Sequence, residues 1–471
     1  MSDGKKQRKV GRPNMQTALA GRRRFIGALG ATTATLVLRS ALAESADFSS
    51  GASLDFGGSA TGTGSLSVDM SASIERAAQL PEPGDSGIEH IIVVMMENRS
   101  FDHYLGWLPG ADGKQAGLSF TDRNGLTHST FHLTEFQTCN YQDPDHSYEG
   151  GRIQYDEGVC DGWLRAAGTD MLPVSYYIQD DLAFYGKAAP GWTTFDRYFS
   201  AIMAETYPNR IYMHAAQTDR IYNSTVISAL PTIWDGLAAR GLTGTYYYSD
   251  TPFLALWGPK YIPISKPFDA FLTDCAVGTL PNVCFVDPRF GGEGQGISSD
   301  DHPTADIRNG QALLGQIYNA VIHSPCWKNT VLFINYDEWG GFFDHVPPPV
   351  APIPDADQLA GNQDGLLGFR VPCILISPFA RRGYVSHMPY DHTSILKMIE
   401  WRWSLAPLTV RDATANNIAK ALDFKNPNLV APPIAVPQGP FGTVCSSVNS
   451  SSVDDFASLA SMAKTMGFST Y

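Results

Sequence analysis

The sequence predicts an α/β protein: a three-layer sandwich built around a mainly parallel sheet. Three observations carry this. First, Ile91–Met96, Thr330–Asn335 and Val371–Ser377 are apolar runs of strand length. Runs of that kind suit strands buried on both faces, as parallel sheets require. Second, helical spacing alternates with these runs and no internal repeat interrupts the alternation. Third, two of the runs turn abruptly polar, the first into Glu97, Asn98, Arg99 and Ser100, the second into Asp337 and Glu338. Open α/β sheets place their ligands at the carboxyl ends of the strands.

The chain has 471 residues, 43% hydrophobic and 17% charged, with a net charge of −13. The acidic balance gives no electrostatic footprint for nucleic acid and repels anionic surfaces at long range. A phosphate-ester substrate would therefore need local positive charge, from a metal ion or from arginines. At the N-terminus, Arg22-Arg23-Arg24 precedes an apolar run rich in Ala, Leu and Thr that ends near Ala41-Leu42-Ala43. This pattern predicts a cleaved twin-arginine export signal over residues 1–43, delivering the protein to the periplasm or outside the cell. Residues 44–87, rich in Ser, Gly, Ala and Asp, read as a linker. A catalytic domain is expected over 88–444, and a peripheral Ser-rich tail over 445–471.

Within that body a loop-rich region follows the first strand, over about 105–170, and contains Asp143-Pro144-Asp145-His146-Ser147. Loops this long inside a compact domain are usually functional. Helices are expected at Asp180–Tyr185, Ala229–Gly241 and Thr393–Trp403, and strands at Thr243–Tyr248 and Val283–Asp287. The cleanest helical spacing lies in 303–323, through Ile307, Leu313, Leu314, Ile317, Tyr318 and Val321. Beyond Pro407 the composition becomes loop-like. Of seven cysteines, Cys139–Cys160 and Cys275–Cys284 are the expected disulfides, since each pair closes a short polar loop. Cys373 is expected as a buried thiol. No Cys-x-x-Cys pair suggests structural zinc.

If the strand ends share one sheet edge, Glu97, Asp337 and Glu338 meet there with Asn98. Such acids repel one another unless a cation sits among them. Oxygen donors suit Mg²⁺, Ca²⁺ or Mn²⁺, and carboxylates also suit Zn²⁺. Thr206 is the candidate nucleophile. Its hydroxyl needs a base or a metal to activate it, and Pro208 is expected to hold it in a non-helical loop. Asn209 and Arg210 are candidate donors to phosphate oxygens. His146 and His302 are candidates either to support the groups that touch the metal or phosphate or to act as acid/base groups. His345, near the acid pair, is a ligand or a structural hydrogen-bond partner.

The motifs Glu97-Asn98-Arg99-Ser100-Phe101-Asp102-His103, Thr206-Tyr207-Pro208-Asn209-Arg210 and Asp337-Glu338-Trp339-Gly340-Gly341-Phe342-Phe343-Asp344-His345-Val346 resemble the phosphoesterase family. That family comprises bacterial phospholipases C, plant non-specific phospholipases C and acid phosphatases of the A type. His302-Pro303 with Asp306, and Arg370-Val371-Pro372, extend the likeness over most of 88–405. The resemblance implies an alkaline-phosphatase-like fold and metal or phosphate contacts from Glu97, Asn98, Asp337 and Glu338. It also implies a Thr206 nucleophile passing through a covalent phospho-enzyme, with roles for His146 and His302. The chain departs from the phosphatase branch in lacking an adjacent His-His pair. The second histidine of the plant enzymes is replaced near Ala305.

The leading expectation is therefore an exported phospholipase C acting on a phosphatidylcholine-like phospholipid, with a divalent metal and transient contact with a membrane surface. An acid phosphatase acting on monoesters and a non-catalytic lipid-binding surface protein are the alternatives. Trp163, Tyr176, Tyr177, Trp192, Tyr246, Tyr247 and Tyr248 are candidates for a choline headgroup. No nucleic-acid or protein partner is expected.

Overall fold

β1 (His90–Met96) is buried along all but its first residue, as its unbroken apolar run demands. It lies within an eight-stranded sheet with β2 (Thr193–Phe195), β3 (Gly244–Tyr248), β4 (Ser265–Pro267), β5 (Val283–Asp287), β6 (Thr330–Tyr336), β7 (Cys373–Ile376) and β8 (Tyr384–Ser386). The spatial order is β8-β2-β7-β6-β1-β5-β3-β4. β6, β1, β5, β3 and β4 run parallel to their neighbours in turn, and β8 runs parallel to β2. β7 alone is antiparallel to both of its neighbours. An apolar run carries no direction, so the sequence located β7 without orienting it. The structure is a computed structural model that describes residues 71–166, 170–446 and 455–470. The export signal expected over residues 1–43 lies outside the described residues.

Helices α1 (Phe101–Leu105), α2 (Tyr148–Tyr155), α3 (Thr206–Ala215), α4 (Phe268–Val277), α5 (Ile307–Ile322), α6 (His392–Trp403) and α7 (Asp455–Met466) flank the sheet or fill the loops around it. α5 carries the chain from β5 to β6 across β1, burying Ile307, Leu314, Ile317, Tyr318 and Val321 completely. Asp306 caps it by accepting from the Arg308 N–H. α4 packs against α5, and α3 against α6. No helix among the described residues is long and apolar enough to cross a membrane.

Several expectations are corrected. Thr206 does not sit in a loop: it opens α3, and Pro208 lies in the first turn. Backbone N–H groups there have no intrahelical acceptor, so a proline costs the helix nothing. The disulfide joins Cys139 to Cys445, 306 residues apart. Cys160, Cys275 and Cys284 are buried free thiols, as is Cys373. The tail is not peripheral: Phe456 of α7 is 1% exposed and stacks on Phe290 with ring centroids 3.8 Å apart. Residues 71–77, read as linker, are helical, and Glu75 accepts hydrogen bonds from Tyr384, Ser386 and Tyr390. Asp180–Tyr185 is a short 3-10 turn, Gln179–Asp181, ahead of a helix at Tyr185–Gly191.

Candidate active site

Register fixes the site. Met96 of β1 pairs with Tyr336 of β6, and Val94 with Val286 of β5. Glu97, Asp337 and Asp287 therefore leave the sheet side by side at its carboxyl edge. Arg210, one turn after Thr206 on α3, reaches into this edge. Its Nε donates to Glu97 Oε1 at 3.0 Å and to Asp337 Oδ2 at 3.3 Å, and its Nη1 donates to Asp287 Oδ1 at 3.0 Å. Its Nη2 donates to the carbonyls of Met95 and Met96. The guanidinium also lies over the Phe290 ring, 4.7 Å from its centroid. Burial opposes its charge, but Asp287, Glu97 and Asp337 outweigh burial and raise its pKa.

Arg210 is thus spent inside the protein and offers no free fork to a phosphate, contrary to the sequence expectation. Asn209 is corrected as well. Its amide donates to the carbonyls of Ile202, Ala204 and Glu205 and accepts from the Ile202 N–H. It shapes the turn that delivers Thr206, which is itself 2% exposed.

The Glu97–Asn98 turn is built for close approach. Asn98 has φ of +59°, a left-handed conformation that is costly for a side chain other than glycine. Its N–H donates to Asp337 Oδ1 at 3.1 Å. Gly340 packs so tightly against it that a Cβ there would lie 2.3 Å from the Asn98 carbonyl oxygen. A Cβ on Gly341 would lie 2.6 Å from Pro144. The glycine pair lets the Asp143–His146 loop dock on the end of β6. Arg99 turns the other way, donating from Nε to the Asp301 carbonyl at 2.7 Å. The Glu97 N–H donates to the Asp300 carbonyl, so the segment carrying His302 hangs from the end of β1.

His146 and His302, distant in sequence, meet edge to face with centroids 6.3 Å apart. His302 Nε2 lies 3.8 Å from Asp143 Oδ2. Burial works against a charge on His146, but the Glu338 and Asp143 carboxylates push its pKa up to about 10. Burial, then the charges of His146 and Arg99, push His302 down, so it is neutral at pH 7. Burial raises Glu97, Asp337 and Glu338, each opposed by its nearest cation, Arg210 or His146.

The donor set fits a hard divalent cation. Glu97 Oε2, Asn98 Oδ1 and Glu338 Oε1 are buried oxygens without a hydrogen-bond donor. Buried polar atoms seldom stay unpaired unless something else satisfies them. His345 is a structural partner, bonded to Asp102 at 2.5 Å and Asp112 at 3.1 Å. It belongs to a network in which Arg370 pairs with Asp102 and Asp344. Of the aromatic headgroup candidates, only Tyr176 is not fully buried. The others are core.

Asp287, Asp143 and Glu293 were not singled out from sequence. Asp287 ends a strand that the sequence did locate, so strand-end reasoning reaches it. Asp143 lies in the singled-out loop motif. Glu293 sits in a Gly-rich turn with no periodic signal.

The family model for the phosphoesterase family matches residues 88–261 and 243–406. Non-specific phospholipase C1 of Arabidopsis thaliana is 32% identical over 393 residues, covering 74% of each chain. Phospholipase C B of Mycobacterium tuberculosis is 29% identical over 465 residues, covering 77% of this chain and 86% of that one. Among solved structures, a protein in the alkaline phosphatase superfamily from Vibrio parahaemolyticus aligns over 76% of this chain and 79% of its own, with 9% identity and a TM-score of 0.36. With its motifs gathered at one sheet edge and its family model spanning the body of the fold, the chain belongs to the phosphoesterase family, as a hydrolase of phosphoric esters.

Proposed function

We propose that this protein is an exported phospholipase C that cleaves the glycerol-side P–O bond of a phosphatidylcholine-like phospholipid, with Thr206 as nucleophile. The observation that carries the reading is the position of Thr206. It opens α3 one turn before Arg210, whose guanidinium holds Glu97 and Asp337. The hydroxyl thus belongs to the rigid element that is bolted to the acidic edge, and the helix N-terminus favours an anion there.

In this reading the Thr206 hydroxyl gives up its proton to solvent water, and its oxygen bonds to phosphorus as the bond to the glycerol oxygen breaks. The departing oxygen takes a proton from His146, which is charged at neutral pH. Water then attacks phosphorus and gives a proton to the now neutral His146; the Thr206–phosphorus bond breaks, the Thr206 oxygen takes a proton back from solvent, and the phospho-alcohol leaves. A divalent cation at the strand-end acids would lower the pKa of the hydroxyl and neutralise phosphoryl charge. Export by the twin-arginine route is part of the proposal. The relatives named as phospholipases C support the substrate class.

Initial rates on phosphatidylcholine and p-nitrophenyl phosphate test the class. Phosphocholine release should be much the faster; a faster monoester would place the protein with the phosphatases. Thr206→Ala should lose at least about 1,000-fold in kcat, the scale of removing a nucleophile. Wild-type turnover in that variant would remove Thr206 from the reaction. Lysine at Arg22, Arg23 and Arg24 should leave the precursor in the cytoplasm; unchanged export would sink the targeting reading.

A further inference from the structure

A second group of metal-binding atoms lies beside the strand-end acids. One carboxylate oxygen each from Glu97 and Glu293 and a ring nitrogen of His302 lie within 4.8 Å of one another. The three residues are 0%, 1% and 5% exposed. Glu97 Oε1 is held by Arg210, while Glu97 Oε2 is buried and receives no donor. His302 Nδ1 is likewise buried without a hydrogen-bond partner. Two carboxylates this close, away from water, repel strongly unless they share a proton or a cation.

The positions are held from outside the cluster. Glu293 stands at the start of a short turn, Glu293–Gln295, between Gly292 and Gly296, which both have positive φ. Thr304 Oγ1 donates to the Glu293 carbonyl at 2.7 Å. The His302 N–H donates to Asp300 Oδ1 at 2.9 Å. The Cys445 N–H, next to the disulfide, donates to the Gln295 carbonyl at 3.0 Å. Backbone anchors on both sides preorganise the side chains, as a built site requires.

We propose that Glu97, Glu293 and His302 form a binding site for a divalent transition-metal ion, beside the cation position expected at Glu97, Asn98, Asp337 and Glu338. Two carboxylates and one imidazole favour Zn²⁺ or Mn²⁺ over Mg²⁺ or Ca²⁺, which take oxygen ligands. The site shares Glu97 with the strand-end acids and otherwise stands on its own residues. His302 then acts as a ligand, and His146 alone remains to move a proton.

The test loads chelator-stripped full-length mature protein with Zn²⁺ alone and measures bound metal by elemental analysis after equilibrium dialysis. Wild type should bind one equivalent more than Glu293→Gln, a nearly isosteric change. Zn²⁺ should also raise the melting temperature less in Glu293→Gln than in wild type. With Co²⁺, X-ray absorption of wild type should show imidazole scattering that His302→Ala lacks. Equal stoichiometry in wild type and Glu293→Gln would overturn the site and point to a shared proton. If Glu338→Gln alone then lowered the stoichiometry, the strand-end reading would stand without this one. A wild-type protein that bound no metal would sink both cation sites while leaving the phospholipase assay to judge the activity separately.

Discussion

Replacing Cys139 and Cys445 together with serine tests how the C-terminal segment is tied to the site. The bridge spans 306 residues. In the chain-entropy account a closed loop of that length removes about 19 cal/mol/K from the unfolded state, or roughly 6 kcal/mol at 25 °C as an upper value. Unfolding entropy of about 2 cal/mol/K per residue over a body of this size turns that into a fall of roughly 7 °C in Tm. The effect should also reach the site. Gln137, two residues from Cys139, donates to the carbonyls of Gly296 and Thr443 at 2.9 and 2.6 Å, and Cys445 holds Gln295. Loosening this clamp frees the turn that presents Glu293. Calorimetry of the double variant, and of wild type under reductant, should show the fall. Activity at 25 °C, where both remain folded, should drop with it. The five other cysteines are buried, so thiol titration of the native protein reports opening of this bridge. A double variant that melts within about 1 °C of wild type with full activity would refute the clamp.

Two further outcomes follow from buried charge. Arg210→Met removes the cation shared by Glu97, Asp287 and Asp337 and should cost about 3–5 kcal/mol, the scale of stranding a buried ion-pair partner. Denaturant unfolding measures it, and a loss below about 1 kcal/mol would contradict the network. Glu400 is buried beside Asp412, and its pKa is pushed up from 4.5 to about 10, mainly by burial. The folded protein then holds a proton that the unfolded chain releases above pH 4.5, so this group's contribution declines as pH rises from about 4.5 to about 10. Glu400→Gln, which keeps the size and cannot ionise, should flatten that slope and raise Tm at pH 8. An unchanged pH–stability profile would show that Glu400 titrates normally.

The sequence by itself determined the strands of the sheet centre and the place of the acids. Side-chain period and apolar runs are local signals, and Ile91–Met96, Val283–Asp287 and Thr330–Tyr336 needed nothing else. Because β1, β5 and β6 proved parallel neighbours, acids at their ends had to share an edge. The motif around Thr206 was legible too, though not its setting. Only the tertiary structure decided that Arg210 is consumed by Glu97, Asp287 and Asp337, and that Asn209 serves the backbone of 202–205. A polar side chain near a nucleophile looks the same in sequence whether it faces substrate or protein. The chain lacks adjacent histidines, yet folding brings His146 to His302. The pairing of Cys139 with Cys445, the burial of Phe456 and the arrival of Glu293 at Glu97 depend equally on contacts between distant segments. Such contacts are set by how the layers pack, and local pattern carries no record of them.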